Sequence, residues 1–428
     1  MWTVPELGEI QQTLRDPSSL IGMRMRAAYH AKQLFVDLQK EGQEEENNSD
    51  GTDTNKAERS QKMQDIVNVL CEQVFVVEHG SLLRHEFAYV LGQMKTEQAC
   101  AALENLLTKE DDCVMVRHEA AEALGAIASM RSKHVLESTR TKNEGVLDEL
   151  SDTCILALNR LNHETEGGNG DGGNNNSPVV GCACMLAPFN SVDPVEVDPA
   201  HVSLSTDELG EILLNKHIQR NTNNDVSVEK SENINSKAYQ QRGDLIERYR
   251  AMFSLRNRGG EECVKQLCRA LVEDTSSPLL RHEVAFVLGQ LQHPSSISAL
   301  EESLSRLDEH AMVRHESAEA LGAIEGTFED WQRIESTLTR YQNDFDPAVA
   351  ESCIVALDAA DYWGHDIAAD DECVADDDIS AVIDLEEKST ASVAGGVFGK
   401  QKHDSALVET CVIRKQILAQ HFNVVQTA

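Results

Sequence analysis

Aromatic residues are scarce in this chain, at 4% of 428 residues, and basic residues are outnumbered, 38 against 73 acidic ones. Few aromatics argue against an aromatic-centred β-sandwich, and plentiful alanine, leucine and valine favour helices packed through small side chains. A formal charge of −35 excludes nucleic acid and anionic membrane surfaces as natural partners and favours a cationic ligand or a basic patch. No apolar run approaches the roughly 18 residues a membrane span needs, so no membrane is expected. The start, Met1 to Glu6, lacks a basic stretch followed by an apolar one, as a secretory signal would have. Eleven scattered cysteines read as reduced thiols in a cytoplasmic protein. Cys182 and Cys184 have no second close pair to complete a zinc set. A Gly-rich phosphate loop and a Gly-x-Ser-x-Gly elbow are also missing.

Internal repetition is plain. Leu82-Leu83-Arg84-His85-Glu86-Phe87-Ala88-Tyr89-Val90-Leu91-Gly92-Gln93-Met94 recurs from Leu279 to Leu291 with ten of 13 positions identical, and Met115 to Ile127 recurs from Met312 to Ile324 with one change. Both matches share an offset of 197 residues, and within each half the motifs lie 33 residues apart, His85 to His118 and His282 to His315. Weaker repeats flank them. Arg26-Ala27-Ala28-Tyr29 answers Arg250-Ala251-Met252-Phe253, and Cys154 to Asn159 answers Cys353 to Asp358.

Two helices per 33-residue unit mark an all-α fold, an α-solenoid of HEAT-type helical hairpins in two pseudo-symmetric halves of about four repeats each. In Glu97–Leu107, Ala99, Cys100, Leu103, Leu106 and Leu107 share one helix face. The acidic loop Lys109–Asp112 breaks that helix and favours the start of the next, which buries Val116, Ala120, Ala123, Leu124 and Ile127. The halves are expected at 1–162 and 237–360. A polar insertion near 41–62 reads as disordered. Residues 163–236 read as a flexible low-complexity linker with a short helix near Thr206–Ile218, and 361–428 as an acidic, partly disordered tail. His163-Glu164 falls outside the repeats.

One Arg-His-Glu on a helix is an ordinary solvated helix start. Four copies at one phase, kept where neighbouring positions differ widely, point to a site that binds metal. Imidazole with carboxylate and open positions suits iron(II) and oxygen chemistry rather than a closed structural zinc site. The triplet is expected in the first turn of each second helix. His85 and His118 then converge on one ion, and His282 and His315 on another opposite. A zinc-protease His-Glu-x-x-His is excluded, since the fourth positions are Tyr89, Glu122, Phe286 and Glu319. Glu122 and Glu319 read first as surface carboxylates and second as groups orienting the histidines.

These four segments, each ending in Leu-Gly, closely resemble deoxyhypusine hydroxylase, a family of eight HEAT-type repeats with four His-Glu motifs; the likeness covers about 12–162 and 237–360. The resemblance implies a non-haem di-iron monooxygenase that uses two Fe(2+) ions and O2, with an external reductant, to hydroxylate the deoxyhypusine side chain of a translation factor. It implies that His85, His118 and Glu119 hold one iron, that His282, His315 and Glu316 hold the other, and that Glu86 and Glu283 engage the substrate's amines. A non-catalytic HEAT scaffold with a structural ion, or a bilin lyase of the related HEAT-like class, are the alternatives.

Overall fold

Each repeat builds itself from an amphipathic outer helix and an apolar inner one. The computed structural model describes residues 5–48, 53–166, 193–216, 245–324 and 326–358. Among them the chain runs α1 Leu7–Leu14, α2 Ile21–Asn48, α3 Asp53–Gln73, α4 Gly80–Gln93, α5 Glu97–Thr108, α6 Val114–Ile127, α7 Lys133–Asn143 and α8 Asp148–Glu166. The second half continues with α9 Thr206–Leu213, α10 Leu245–Arg258, α11 Glu261–Glu273, α12 Pro278–Leu291, α13 Ile297–Ser305, α14 Ala311–Ala323, α15 Phe328–Tyr341 and a last helix, α16, over 347–358. The described residues are all-helical apart from turns, in eight hairpins, four to a half.

Odd-numbered helices form the outer layer and even-numbered ones the inner layer. Outer α5 buries Ala99, Cys100, Leu103, Leu106 and Leu107, the face its sequence period marks. Inner α6 buries Met115 through Ala121 without a break, because it touches its outer partner, its neighbours α4 and α8, and the opposite half. Glycine permits the tight inner stacking: a Cβ on Gly92 would lie 2.8 Å from the Ala123 Cα, and one on Gly125 2.8 Å from the Ala157 Cα. The halves meet along inner helices, α8 against α12, and α16 against the start of α4, where Glu351 lies beside Gly80. Arg26 pairs with Asp358 across the same seam.

Three expectations change. The 41–62 insertion is not wholly irregular, since α2 runs on to Asn48 and α3 begins at Asp53. Its Glu, Gln and Lys are good helix formers, and Gly42 packs beside Arg59. The second half begins before 237. Val195, Leu209 and Leu213 are buried, α9 packs on α10 and α11, and a Ser205–Glu208 capping box starts it. The helix expected near Thr206–Ile218 is present as Thr206–Leu213, but the polar stretch around it hid its place as the first outer helix of the second half. His163 lies within α8 rather than outside the repeats. Cys182 and Cys184, the rest of the linker, and the tail from 361 lie outside the described residues. The seven cysteines among the described residues are free, and no single helix there is long and apolar enough to cross a membrane.

Candidate metal centre

The motif arginines do structural work, not chemistry. Each sits near the start of an inner helix and donates to a carbonyl at the end of its own outer helix, and all but Arg117 also reach a carboxylate in the next repeat's loop. Arg84 Nε donates to Val74 O at 2.7 Å and its Nη1 to Asp112 Oδ1 at 2.8 Å. Arg314 donates to Leu304 O at 2.9 Å and, with both Nη atoms, to Asp344. Arg248 does the same with Leu213 O and Asp274, and Arg281 with Asp274 O and Glu309. Arg117 donates to Leu107 O. Helix-end carbonyls are thereby satisfied and neighbouring repeats strapped together. The acidic loop residue Asp112 thus serves mainly as the receptor for Arg84.

The histidines, the fifth or sixth residues of their helices, open the second turn rather than lying in the first, and the two halves bring all four together. Ring centroids are 5.3 Å apart for His85–His118 and 5.4 Å for His282–His315 within the halves. They are 5.3 Å apart for both His85–His315 and His118–His282 across the seam. All four are buried, with Glu86, Glu119, Glu283 and Glu316. His85 Nε2 lies 3.2 Å from Glu119 Oε2 and its Nδ1 3.1 Å from Glu86 Oε1, while His282 Nε2 lies 3.5 Å from Glu316 Oε2. The carboxylate of one repeat therefore faces the histidine of the repeat before it, as the ~100° between adjacent helix positions requires.

Neither ring nitrogen of His118 or His282 has a hydrogen-bond partner. Buried polar atoms are ordinarily paired, so two fully buried imidazoles without partners mark a place for a ligand. Burial, then the neighbouring imidazoles, holds both well below the usual histidine range, in the neutral form that binds metal. At His85 burial also lowers the pKa, but Glu119 and Glu86 outweigh it and raise the value well above normal. Burial raises Glu119, against the pull of His85. Donor atoms of His85, His118 and His282 lie within 4.8 Å of one another, as do those of His282, His315 and Glu316, and those of His118, Glu119 and Glu122. Nitrogen and oxygen donors in this number fit first-row divalent metals.

Two residues read first as surface carboxylates belong to the site. Glu319 is buried, accepts from Ser352 Oγ at 2.8 Å and lies 3.8 Å from His315 Nδ1. Glu122 lines the histidine chamber with Tyr89 and Phe286. A charged residue on an otherwise apolar inner helix, one turn after a motif histidine, was the available signal. Tyr29, whose hydroxyl donates to Glu86 at 2.6 Å, carried none, since it comes from the preceding repeat, 57 residues earlier in the chain.

HEAT repeats match residues 76–150, 237–322 and 264–358. The chain is 40% identical over 288 residues to deoxyhypusine hydroxylase of Danio rerio, covering 67% of this chain and 78% of that protein. It is 38% identical over 285 residues to deoxyhypusine hydroxylase-B of Oryza sativa subsp. japonica, covering 67% and 79%. The solved structure of human deoxyhypusine hydroxylase in complex with glycerol superposes with a TM-score of 0.59 at 31% identity, covering 82% of this chain and 94% of that one. With its eight hairpins and its four buried His-Glu pairs gathered at one seam, the chain belongs to the deoxyhypusine hydroxylase family.

Proposed function

We propose that this chain hydroxylates the deoxyhypusine side chain of a translation factor in the cytoplasm, with two ferrous ions, O2 and an external reductant. The observation that carries the reading is the buried, partnerless pair His118 and His282 among carboxylates. Family membership with proteins named for this reaction supports it. His85, His118 and Glu119 would hold one ion and His282, His315 and Glu316 the other. Iron supplies activation of O2, which carbon-bound hydrogen alone cannot provoke; one oxygen atom goes into the C–H bond and the other leaves as water, with two electrons from the reductant.

The protein's own part is positioning and electrostatics. Deoxyhypusine is a long dication, and a buried carboxylate compensates an ammonium far better than water-exposed charge does. Glu86 and Glu283 both line the histidine chamber, within reach of a side chain lying over the ions. A substrate lying along the seam would be shielded from water, and the packed inner helices would hold its reacting carbon at a fixed place beside the histidines. Neutral His118 and His282 are ready to bind without releasing a proton, whereas His85 gives one up as metal enters.

Incubating iron-loaded protein with the deoxyhypusine form of the factor, O2 and a reductant tests the proposal. The account predicts a gain of one oxygen atom on that side chain by mass spectrometry. Tight iron binding with no oxygen gain would favour the scaffold with a structural ion.

A further inference from the structure

A second cluster of metal-ligating side chains lies where the 3-10 turn Pro199–Ser203 packs on α10, and it shares no residue with the histidine chamber. Asp198 caps that turn, its Oδ1 accepting from the Ala200 N–H at 2.8 Å. With three residues to a turn, position i+3 returns over position i, so His201 follows Asp198 on one side. Helix α10 supplies Glu247. One donor atom from each of Asp198, His201 and Glu247 lies within 4.8 Å of the others. His201 is buried, whereas Asp198 and Glu247 are half-buried and leave an ion a way in.

Hydrogen bonding around His201 decides what its ring offers. Ser254 Oγ donates its single proton to Arg250 O at 2.7 Å. It therefore accepts from His201 Nδ1–H, 2.9 Å away, which leaves Nε2 aimed at Glu247 Oε1 at 2.8 Å. A neutral imidazole held this way sets a lone pair against a carboxylate oxygen. Only a cation between them, a proton or a metal ion, makes that contact favourable. A proton serves His201 and Glu247 but not Asp198. A divalent ion uses all three and balances the charge of both carboxylates. Arg250 approaches Glu247 at the other oxygen, Oε2, at 3.6 Å, and leaves Oε1 to the cluster.

We propose that Asp198, His201 and Glu247 bind a zinc ion, with water at the fourth position, as a clasp between the segment 193–216 and α10. Nitrogen and oxygen donors in this number suit the zinc tetrahedron, and Ser254 is the outer partner that fixes the imidazole. Ligand atoms on a tetrahedral zinc stand about 3.3 Å apart, given bonds of about 2.0 Å, so the His201–Glu247 contact opens slightly as the ion enters. Arg258 already joins the same two pieces, donating to the carbonyls of His201 and Leu204 at 3.2 and 2.8 Å. The ion reinforces that join and holds the first outer helix of the second half in place. Nothing in this proposal depends on the hydroxylase reading.

Equilibrium dialysis of the full-length, iron-loaded chain against a range of buffered free Zn2+ concentrations, followed by metal counting, tests it. Parent and variants are compared at the same free zinc, so any zinc taken up by the histidine chamber cancels. His201→Ala is expected to bind about one zinc fewer per chain. Asp198→Asn retains a capping side chain and the His201 hydrogen bonds, so it keeps the test decisive should His201→Ala fail to fold. It is expected to weaken that zinc by about tenfold or more, through loss of an anionic ligand. Zinc uptake by either variant equal to that of the parent would overturn the proposal and leave a proton-bridged His201–Glu247 pair.

Discussion

His118 and Arg117 stand side by side in one helix yet answer to different demands, and substitutions at such positions should separate stability from metal binding. A buried imidazole with no hydrogen-bond partner contributes only packing contacts to the metal-free chain. Exchanging His118 for Ala should therefore lower the iron bound per chain while the far-ultraviolet circular dichroism of the metal-free protein stays nearly unchanged. A variant that loads iron like the parent would contradict that role. Arginine replacements act the other way. Arg314→Leu strips the Leu304 carbonyl and Asp344 Oδ2 of their donors and leaves Oδ1 only the Asp346 N–H, so a loss of about 3–5 kcal/mol is expected in urea unfolding. A loss under about 1 kcal/mol would show that the strap matters little. At this scale the sequence was only partly legible. Recurrence singled out Arg-His-Glu as a unit, and only three-dimensional pairing shows that its arginine belongs to the solenoid and its histidine and glutamate to the site.

Helix by helix, much more was readable. The period of α5 identifies its buried face residue for residue, because a two-layer repeat offers an outer helix one apolar side. The motif-bearing inner helices are buried on nearly every side, so period alone could not say which face met the other half or that Glu122 and Glu319 lie at the seam. Composition misled at 41–62, where polar character hid a continuing helix, and at 193–216, where the short helix expected near Thr206 packs into the second half instead of lying in a linker. Close inner packing gives a direct test. Gly92→Ala puts a Cβ 2.8 Å from the Ala123 Cα, whereas Gly8 in α1 has open space within 4 Å. Gly92→Ala should cost about 1–3 kcal/mol, and Gly8→Ala should be neutral or stabilise by up to about 1 kcal/mol. Equal melting temperatures for both variants would rule out a close-packing role for Gly92.

Across the whole molecule, two pseudo-equivalent carboxyls tune the seam between the halves. Burial raises Asp152 to about 7, with Glu149 adding and Arg248 opposing, and raises Glu351 to about 7, with Arg24 opposing and Asp346 adding. A carboxyl whose pKa is higher in the folded chain holds its proton more tightly there. Its stabilising contribution is complete below about pH 4, the unfolded value, and disappears as pH rises through about 7. Asp152→Asn removes that loss, so its melting temperature relative to the parent should rise by at least about 2–4 °C between pH 5 and 8. A difference that does not vary with pH would show that Asp152 has an ordinary pKa. The same seam carries the central claim, that two half-sites of imidazole and carboxylate form one di-iron centre. Its most direct measurement is metal content after anaerobic iron loading, followed by the visible spectrum on admitting O2. The account predicts about two irons per chain and a new charge-transfer band. No specific iron, or zinc held tightly in its place, would contradict it.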